Sequence, residues 1–167
     1  LSQKKTKITP HETNVELMER LAILSSELLL ETIPLLAKRK IESKPQDNSK
    51  ATLCQLIERS DGKILWVNDA TAIYDQYRAF FSWPGVFTFW ERDKFNTRIK
   101  LNKIALAEKN ISEKHHIGEV FKMEDEIAVQ TENGAIILKE IQLEGKNNTK
   151  IADFINGNPS FIGSILK

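Results

Sequence analysis

A change of hydrophobic period within the stretch Arg78-Ala-Phe-Phe-Ser-Trp-Pro-Gly-Val-Phe-Thr88 constrains this chain more than any other feature. On its N-terminal side Ile73, Tyr77, Phe80 and Phe81 fall at i, i+4, i+7 and i+8, one apolar face of a short helix. On its C-terminal side Val86, Thr88 and Trp90 alternate with Phe87 and Phe89, as in a strand buried on both faces. Between them Pro84 withholds an amide hydrogen and drives Trp83 out of the α region, while Gly85 permits a tight turn. A helix must therefore hand the chain directly to a strand, with Trp83 placed to fill the space between them. Purely helical and purely β folds are excluded.

The chain has 167 residues, room for one domain or for a small domain with a remnant of another. With 41% hydrophobic and 8% aromatic residues it can bury a core. The single cysteine, Cys54, excludes an internal disulfide and suits a reducing compartment. No apolar run approaches the length of a bilayer span, and no signal peptide is visible. The opening Leu1-Ser2 in place of methionine suggests a processed or truncated product. A net charge of +1 hides segregation. Lys38, Arg39, Lys40, Lys44 and Lys50 crowd one stretch, whereas 124–144 holds six acids against one base, Lys139. Such blocks let a folded protein turn one positive face to a polyanion.

Taken in order, Thr13-x-x-Glu16 forms a capping box for a helix running to about Ala37, with Val15, Met18, Leu21, Leu28, Leu29 and Ile33 on a broad apolar face. Pro34 should kink or break its last turns, and that face needs a partner to cover it. The polar stretch from Ile41 to Thr52 reads as a linker. Asp61-Gly62 is a turn signal, and Asn68 or Asp69 can cap the helix that enters the aromatic stretch. Beyond Trp90 the pattern is mostly strands. The apolar phase slips near Asn102-Lys103, a β-bulge signal. Residues 108–117 read as a polar loop, and 118–122 and 126–131 as short strands. Asn133-Gly134 predicts a type I′ hairpin leading into a strand over 135–143, and Thr149 a cap for a short helix carrying Ile151, Phe154 and Ile155. Short, bent antiparallel strands with small helices at the ends make a small barrel of the oligonucleotide-binding (OB-like) type, or a sandwich.

No self-sufficient active site is visible. His115-His116 are adjacent, so as metal ligands they would point apart, and no cysteine accompanies them. Cys54 has no evident base, and Glu124-Asp125-Glu126 reads as a solvated turn. The tryptophans and phenylalanines read as core before stacking residues. The basic residues alone lean toward function, as phosphate contacts that position RNA without reading sequence.

Arg78-Ala79-Phe80-x-x-Trp83-Pro84-Gly85 resembles the signature that opens the C-terminal domain of the methionyl-tRNA formyltransferase family, with Ser82 where that family usually has proline. Leu29-Leu30-Glu31-Thr32-Ile33-Pro34-Leu35-Leu36 is similar to the last helix of the family's catalytic domain, and Pro45-Gln46-Asp47-x-Ser49-x-Ala51-Thr52 to its linker. Leu143-Glu144-Gly145-Lys146, followed by Asp153-Phe154 and Asn156-Gly157, resembles the end of the C-terminal domain. The resemblance implies an α+β chain in three parts: 1–41, a helical remnant of an α/β Rossmann-like formyltransferase domain; 42–54, a linker; and 55–167, an OB-like tRNA-binding barrel.

It further implies a cytoplasmic, monomeric transferase of translation initiation and one-carbon metabolism. The intact enzyme would move a formyl group from 10-formyltetrahydrofolate to the amino group of initiator methionyl-tRNA. The family's catalytic residues would lie in the absent N-terminal domain, so this fragment would be inactive alone and would bind no cofactor or metal. Its share would be tRNA docking: Lys38, Arg39, Lys40, Lys44 and Lys50 beside the linker, with Arg78, Arg98 and Lys100 on the barrel. Arg78 could equally brace the Trp-Pro turn. Arg39 stands where the family often has glycine, implying a less regular helix end, and Leu65 replaces an acid before the tryptophan. A sister formyltransferase acting on another substrate, or a stand-alone OB-like RNA-binding module, are the alternative readings.

Overall fold

The computed structural model describes residues 1–92, 95–107 and 115–167, so seven residues of the expected 108–117 loop lie outside it. The chain divides into two compact units, Leu1–Ile57 and Glu58–Lys167.

The first unit is built on helix α1, Asn14–Ala37. The capping box forms as expected: Thr13 Oγ1 accepts from the Glu16 amide and the Glu16 carboxylate accepts from the Thr13 amide at 2.8 Å. Residues 1–9 lie along the helix, tied by Arg20, which pairs with Glu12 at 2.7 Å and donates to the Lys7 carbonyl at 2.9 Å. The helix continues past Pro34 to Ala37. Arg39 then takes the left-handed conformation, φ 56°, that a glycine would adopt without penalty. No residue of α1 is buried, and Met18, Leu29, Leu30 and Ile33 are each more than half exposed.

The second unit is an antiparallel sheet with two helices. A 3₁₀ turn at Arg59–Gly62 leads to α2, Ala70–Ala79. Asp69 occupies the expected N-cap position, but its carboxylate accepts from the Asn133 side chain at 2.6 Å instead of from a helix amide. Then come β1 (Val86–Arg92), β2 (Phe95–Leu106), β3 (Val120–Met123), β4 (Glu126–Gln130), β5 (Ala135–Leu143), β6 (Thr149–Lys150) and α3 (Ile151–Gly157). The ladder runs β1-β2-β5-β4-β3, with β6 on β5. The register between β2 and β5 shifts around Lys103, the bulge signalled by the phase slip.

The last residues complete this sheet. Leu166 bridges Trp90 of β1, and Ile165 bridges Glu119 beside β3. Phe89 and Lys167 exchange backbone hydrogen bonds at 2.9 Å each, while Gly163 N donates to Val120 O at 2.7 Å and Leu166 N to Gly118 O at 2.8 Å. Residues 163–167 thus fill the gap between the two edge strands. Inside, Ile64, Ile73, Ile99, Ile136, Leu138 and Ile141 are fully buried. Trp90, Phe154 and Phe161 close one end as an edge-to-face trio, with centroids 5.1 to 6.1 Å apart. Each such side chain contributes about 1.5–3 kcal/mol by its burial.

Three local expectations are corrected. The hairpin at 131–134 forms, but only Gly134 has positive φ, so the turn is not type I′. Asn133 is held elsewhere: its carbonyl accepts from Ala70 N at 3.0 Å while its amide grips Asp69. Thr149 does not cap α3, because it and Lys150 pair with Ile141 and Glu140 as a strand and Lys150 becomes the cap residue. Finally, Trp83 does not fill the space between helix and strand. It is 51% exposed, whereas Trp66 and Trp90 are 4% and 2% exposed. The closeness of two backbones does the filling: a Cβ at Gly62 would lie 2.1 Å from the Gly85 carbonyl oxygen. The Trp83–Pro84 peptide is cis.

Candidate nucleic-acid interface

Alternation along β1 and β2 decides which side chains face outward. Val86, Thr88 and Trp90 turn inward with Ile99 and Leu101, which leaves Phe87 and Phe89 on the outer face with Arg98 and Lys100. The register sets Phe87 opposite Lys100 and Phe89 opposite Arg98. The two phenyl rings meet edge to face at 5.7 Å. Arg98 lays its guanidinium on Phe87, Cζ 3.8 Å from the ring centroid, and Lys63 holds its ammonium 5.6 Å from the Phe89 centroid. Lys63 is placed there by the chain entering beside β1, where it bridges Phe87 and Ile64 N donates to Phe87 O at 2.8 Å. Lys100 crosses Gly85; a Cβ there would meet Lys100 Cε at 2.7 Å and Nζ at 3.4 Å.

Lys63, Arg98 and Lys100 therefore form one strip, and among the described residues none of the three makes an ion pair. A cation held on an aromatic face is positioned by the ring quadrupole, worth about 0.5–1 kcal/mol at an exposed site, and keeps its charge available to a further anion. The Arg98 Nε is buried without a hydrogen-bond partner. Arg98 and Lys100 line an open recess with Gln142, Leu143, Glu144 and Gly145, and Glu144 shares it without coming within ion-pair distance. Elsewhere on the sheet the sign reverses: Glu124 and Asp125 stand exposed in the β3–β4 turn, and Glu126 is paired with Lys139.

The other predicted contacts fall differently. Arg78, on α2, pairs with Asp75 at 2.6 Å, has its guanidinium 5.9 Å from the Tyr74 centroid and leaves its side chain 15% exposed. Its surroundings are those of a brace. Lys38, Arg39, Lys40, Lys44 and Lys50 lie in the first unit, and all are exposed. Lys50 pairs with Asp47 at 3.2 Å. The Ser49 hydroxyl first, and Lys50 after it, hold the Asp47 carboxyl below its ordinary value.

The sequence points to Arg98 and Lys100 but not to Lys63, and the expectation of a strand buried on both faces holds for Phe87, 7% exposed beneath Arg98, while Phe89 is half-buried. A lysine after Asp-Gly carries no signal of its own; only the bridge to Phe87 aligns it with the strip.

The remaining candidates assemble no catalytic group. His115 stacks on Phe121, centroids 3.8 Å apart, and pairs with Glu119 at 3.3 Å. The His116 amide above all, with the His115 ring, holds Glu119 below its ordinary value. No group of three or more metal-ligating side chains occurs among the described residues. Cys54 is exposed.

Against known proteins, the family model described as "Formyl transferase, C-terminal domain" matches residues 56–159, beginning beside the boundary between the two units. The chain is similar to methionyl-tRNA formyltransferase of Caldicellulosiruptor saccharolyticus, 32% identical over 167 residues, which covers 99% of this chain and 52% of that protein. It is 34% identical over 157 residues to the same enzyme of Streptococcus thermophilus, covering 94% of this chain and 48% of that one. The chain thus spans about half the length of these curated relatives. Among solved structures, HypX from Aquifex aeolicus shares the fold, with a TM-score of 0.56 at 15% identity over 81% of this chain and 23% of that one. A HypX structure with a TM-score of 0.54 holds tetrahydrofolic acid.

Proposed function

Because the chain belongs to the formyl transferase C-terminal domain family, we propose that it is the tRNA-docking part of a methionyl-tRNA formyltransferase. The intact enzyme transfers a formyl group from 10-formyltetrahydrofolate to the amino group of initiator methionyl-tRNA, in the cytoplasm and as a monomer. Residues 1–41 are read as the final helical portion of its catalytic domain, 42–54 as a linker and 55–167 as an OB-like barrel. The chemistry belongs to the catalytic domain.

The observation that carries this reading is the strip of Lys63, Arg98 and Lys100, three cations on one sheet face with no carboxylate partner among the described residues. Each can replace a condensed counterion on a phosphate, so the contact draws in RNA of any sequence and fixes its position. The exposed lysines and Arg39 of 38–50 add to the same attraction, and Arg78 acts mainly by bracing α2. Docking energy far from the reacting amine serves the reaction by holding the acceptor end in place.

Titration of the chain with initiator tRNA across a range of salt concentrations tests the proposal. The logarithm of the association constant should fall linearly with the logarithm of salt. A salt-independent affinity, or no binding at low salt, refutes it. Incubation with labelled 10-formyltetrahydrofolate and methionyl-tRNA should give no formyl transfer by this chain alone.

A further inference from the structure

We infer that Trp83 is a stacking platform for an unpaired nucleotide whose phosphates lie on the neighbouring cationic strip, an inference that rests on the RNA-docking reading above. The fold buries Trp66 and Trp90 almost completely and leaves Trp83 51% exposed, with Phe81 beside it in sequence 43% exposed. Burying an indole is among the largest gains a core can make, so its exposure here needs a reason other than folding.

Nothing about the turn leaves Trp83 loosely placed. Pro84 Cγ lies 3.3 Å from the Cβ position of Gly62, Gly85 N donates to Phe80 O at 2.9 Å, and Phe81 packs edge to face on Tyr77 at 5.7 Å. The indole is carried on a fixed backbone.

Its surroundings select the occupant. Lys100 crosses Gly85, two residues from the indole, and Arg98 and Lys63 continue the line along the outer face of β1 and β2. A ligand for this edge needs an aromatic face next to negative charge. An unpaired nucleotide has both: the base stacks on the indole and the backbone phosphates take the cations. A purely apolar protein segment would leave three cations unanswered. Paired bases inside a helix keep their faces stacked on one another, so the site favours single-stranded ends or loops.

Two measurements test this. First, the quenchable part of the tryptophan emission of the unmutated chain reports Trp83, because Trp66 and Trp90 are shielded. Saturating single-stranded oligoadenylate should protect it from acrylamide, and a blunt-ended RNA duplex without a loop should not. Second, Trp83→Ala should weaken oligoadenylate binding about five- to a hundredfold, with the salt slope and the affinity for the blunt duplex unchanged, and Trp83→Phe should recover part of the loss. Emission equally quenchable with and without bound oligoadenylate overturns the inference, as does Trp83→Ala binding both RNAs like the parent. Either result leaves the docking proposal standing; failure of the unmutated chain to bind any RNA would sink both.

Discussion

Replacing Thr88 by valine tests the frame that displays the interface. Thr88 is completely buried; its hydroxyl accepts from the Trp66 indole nitrogen at 2.9 Å and donates to the Lys167 carbonyl at 3.0 Å. Valine keeps the shape and removes both bonds. The Lys167 carbonyl still accepts from Phe89 N at 2.9 Å, so its loss is limited to one net hydrogen bond, about 0.5–1.5 kcal/mol. Among the described residues the indole N–H of the buried Trp66 has no other hydrogen bond, and leaving it unsatisfied costs about 1–3 kcal/mol. Thr88→Val should therefore destabilise the second unit by about 2–4 kcal/mol. With a urea m-value of about 1–3 kcal/mol per molar, the unfolding midpoint falls by roughly 1–2 M. Thr88→Ser keeps the hydroxyl and deletes one methyl, for about 1 kcal/mol. Urea unfolding followed by tryptophan emission separates the two. A valine variant as stable as the parent, or no worse than the serine variant, would refute the reasoning.

Three further outcomes are expected. Lys63→Gln, Arg98→Gln and Lys100→Gln together should lower the slope of log affinity for tRNA against log salt by about 2–3, while neutralising Lys122 on β3 should change it little; equal effects would refute the strip. Gly62→Ala would set a Cβ 2.1 Å from the Gly85 carbonyl oxygen, so the turn must shift; a loss of about 1–3 kcal/mol in thermal unfolding is expected, and an unchanged midpoint would show that the two backbones are not locked. Glu119 is held below its ordinary 4.5 by the His116 amide and then the His115 ring. A depressed carboxylate adds stability that is present above 4.5 and lost as pH falls through the lower folded value. Thermal melts of the parent and Glu119→Gln should accordingly converge as the solution is acidified below that value, and a constant gap down to pH 3 would exclude the coupling.

What the sequence disclosed and what it withheld follow from the range of the forces involved. The capping box at Thr13, the strand after Gly85 and the bulge at Lys103 rest on neighbours in sequence, and all three formed as read. The hairpin at Asn133 was legible as a reversal but not in type, because Asp69, the N-cap residue of α2, claims that asparagine from 64 positions away. Trp83 was misread for the opposite reason: an aromatic residue among apolar neighbours scores as core, and nothing local tells that Gly62 already occupies the space. Within the candidate site, Arg98 and Lys100 are pointed to by the family resemblance, and the alternation of β2 sets both on its outer face. Lys63 joins them through a bridge that no spacing rule anticipates. The five basic residues of 38–50 were visible as a run of charge, and they are exposed as that run implies.

The seam made by residues 163–167 has a kinetic corollary. β1 leaves the ribosome some seventy residues before the segment that must lie against it, and the edge of β3 waits about forty. Until Leu166 arrives, two strand margins stand open, each able to recruit a strand from another chain. The ring shuts only once residues 163–167 are in place, a contact of large sequence separation that should govern the folding rate. A nascent chain stalled short of Ile165 is thus expected to be the species that aggregates, and whatever is fused after Lys167 starts at the joint that holds the structure shut.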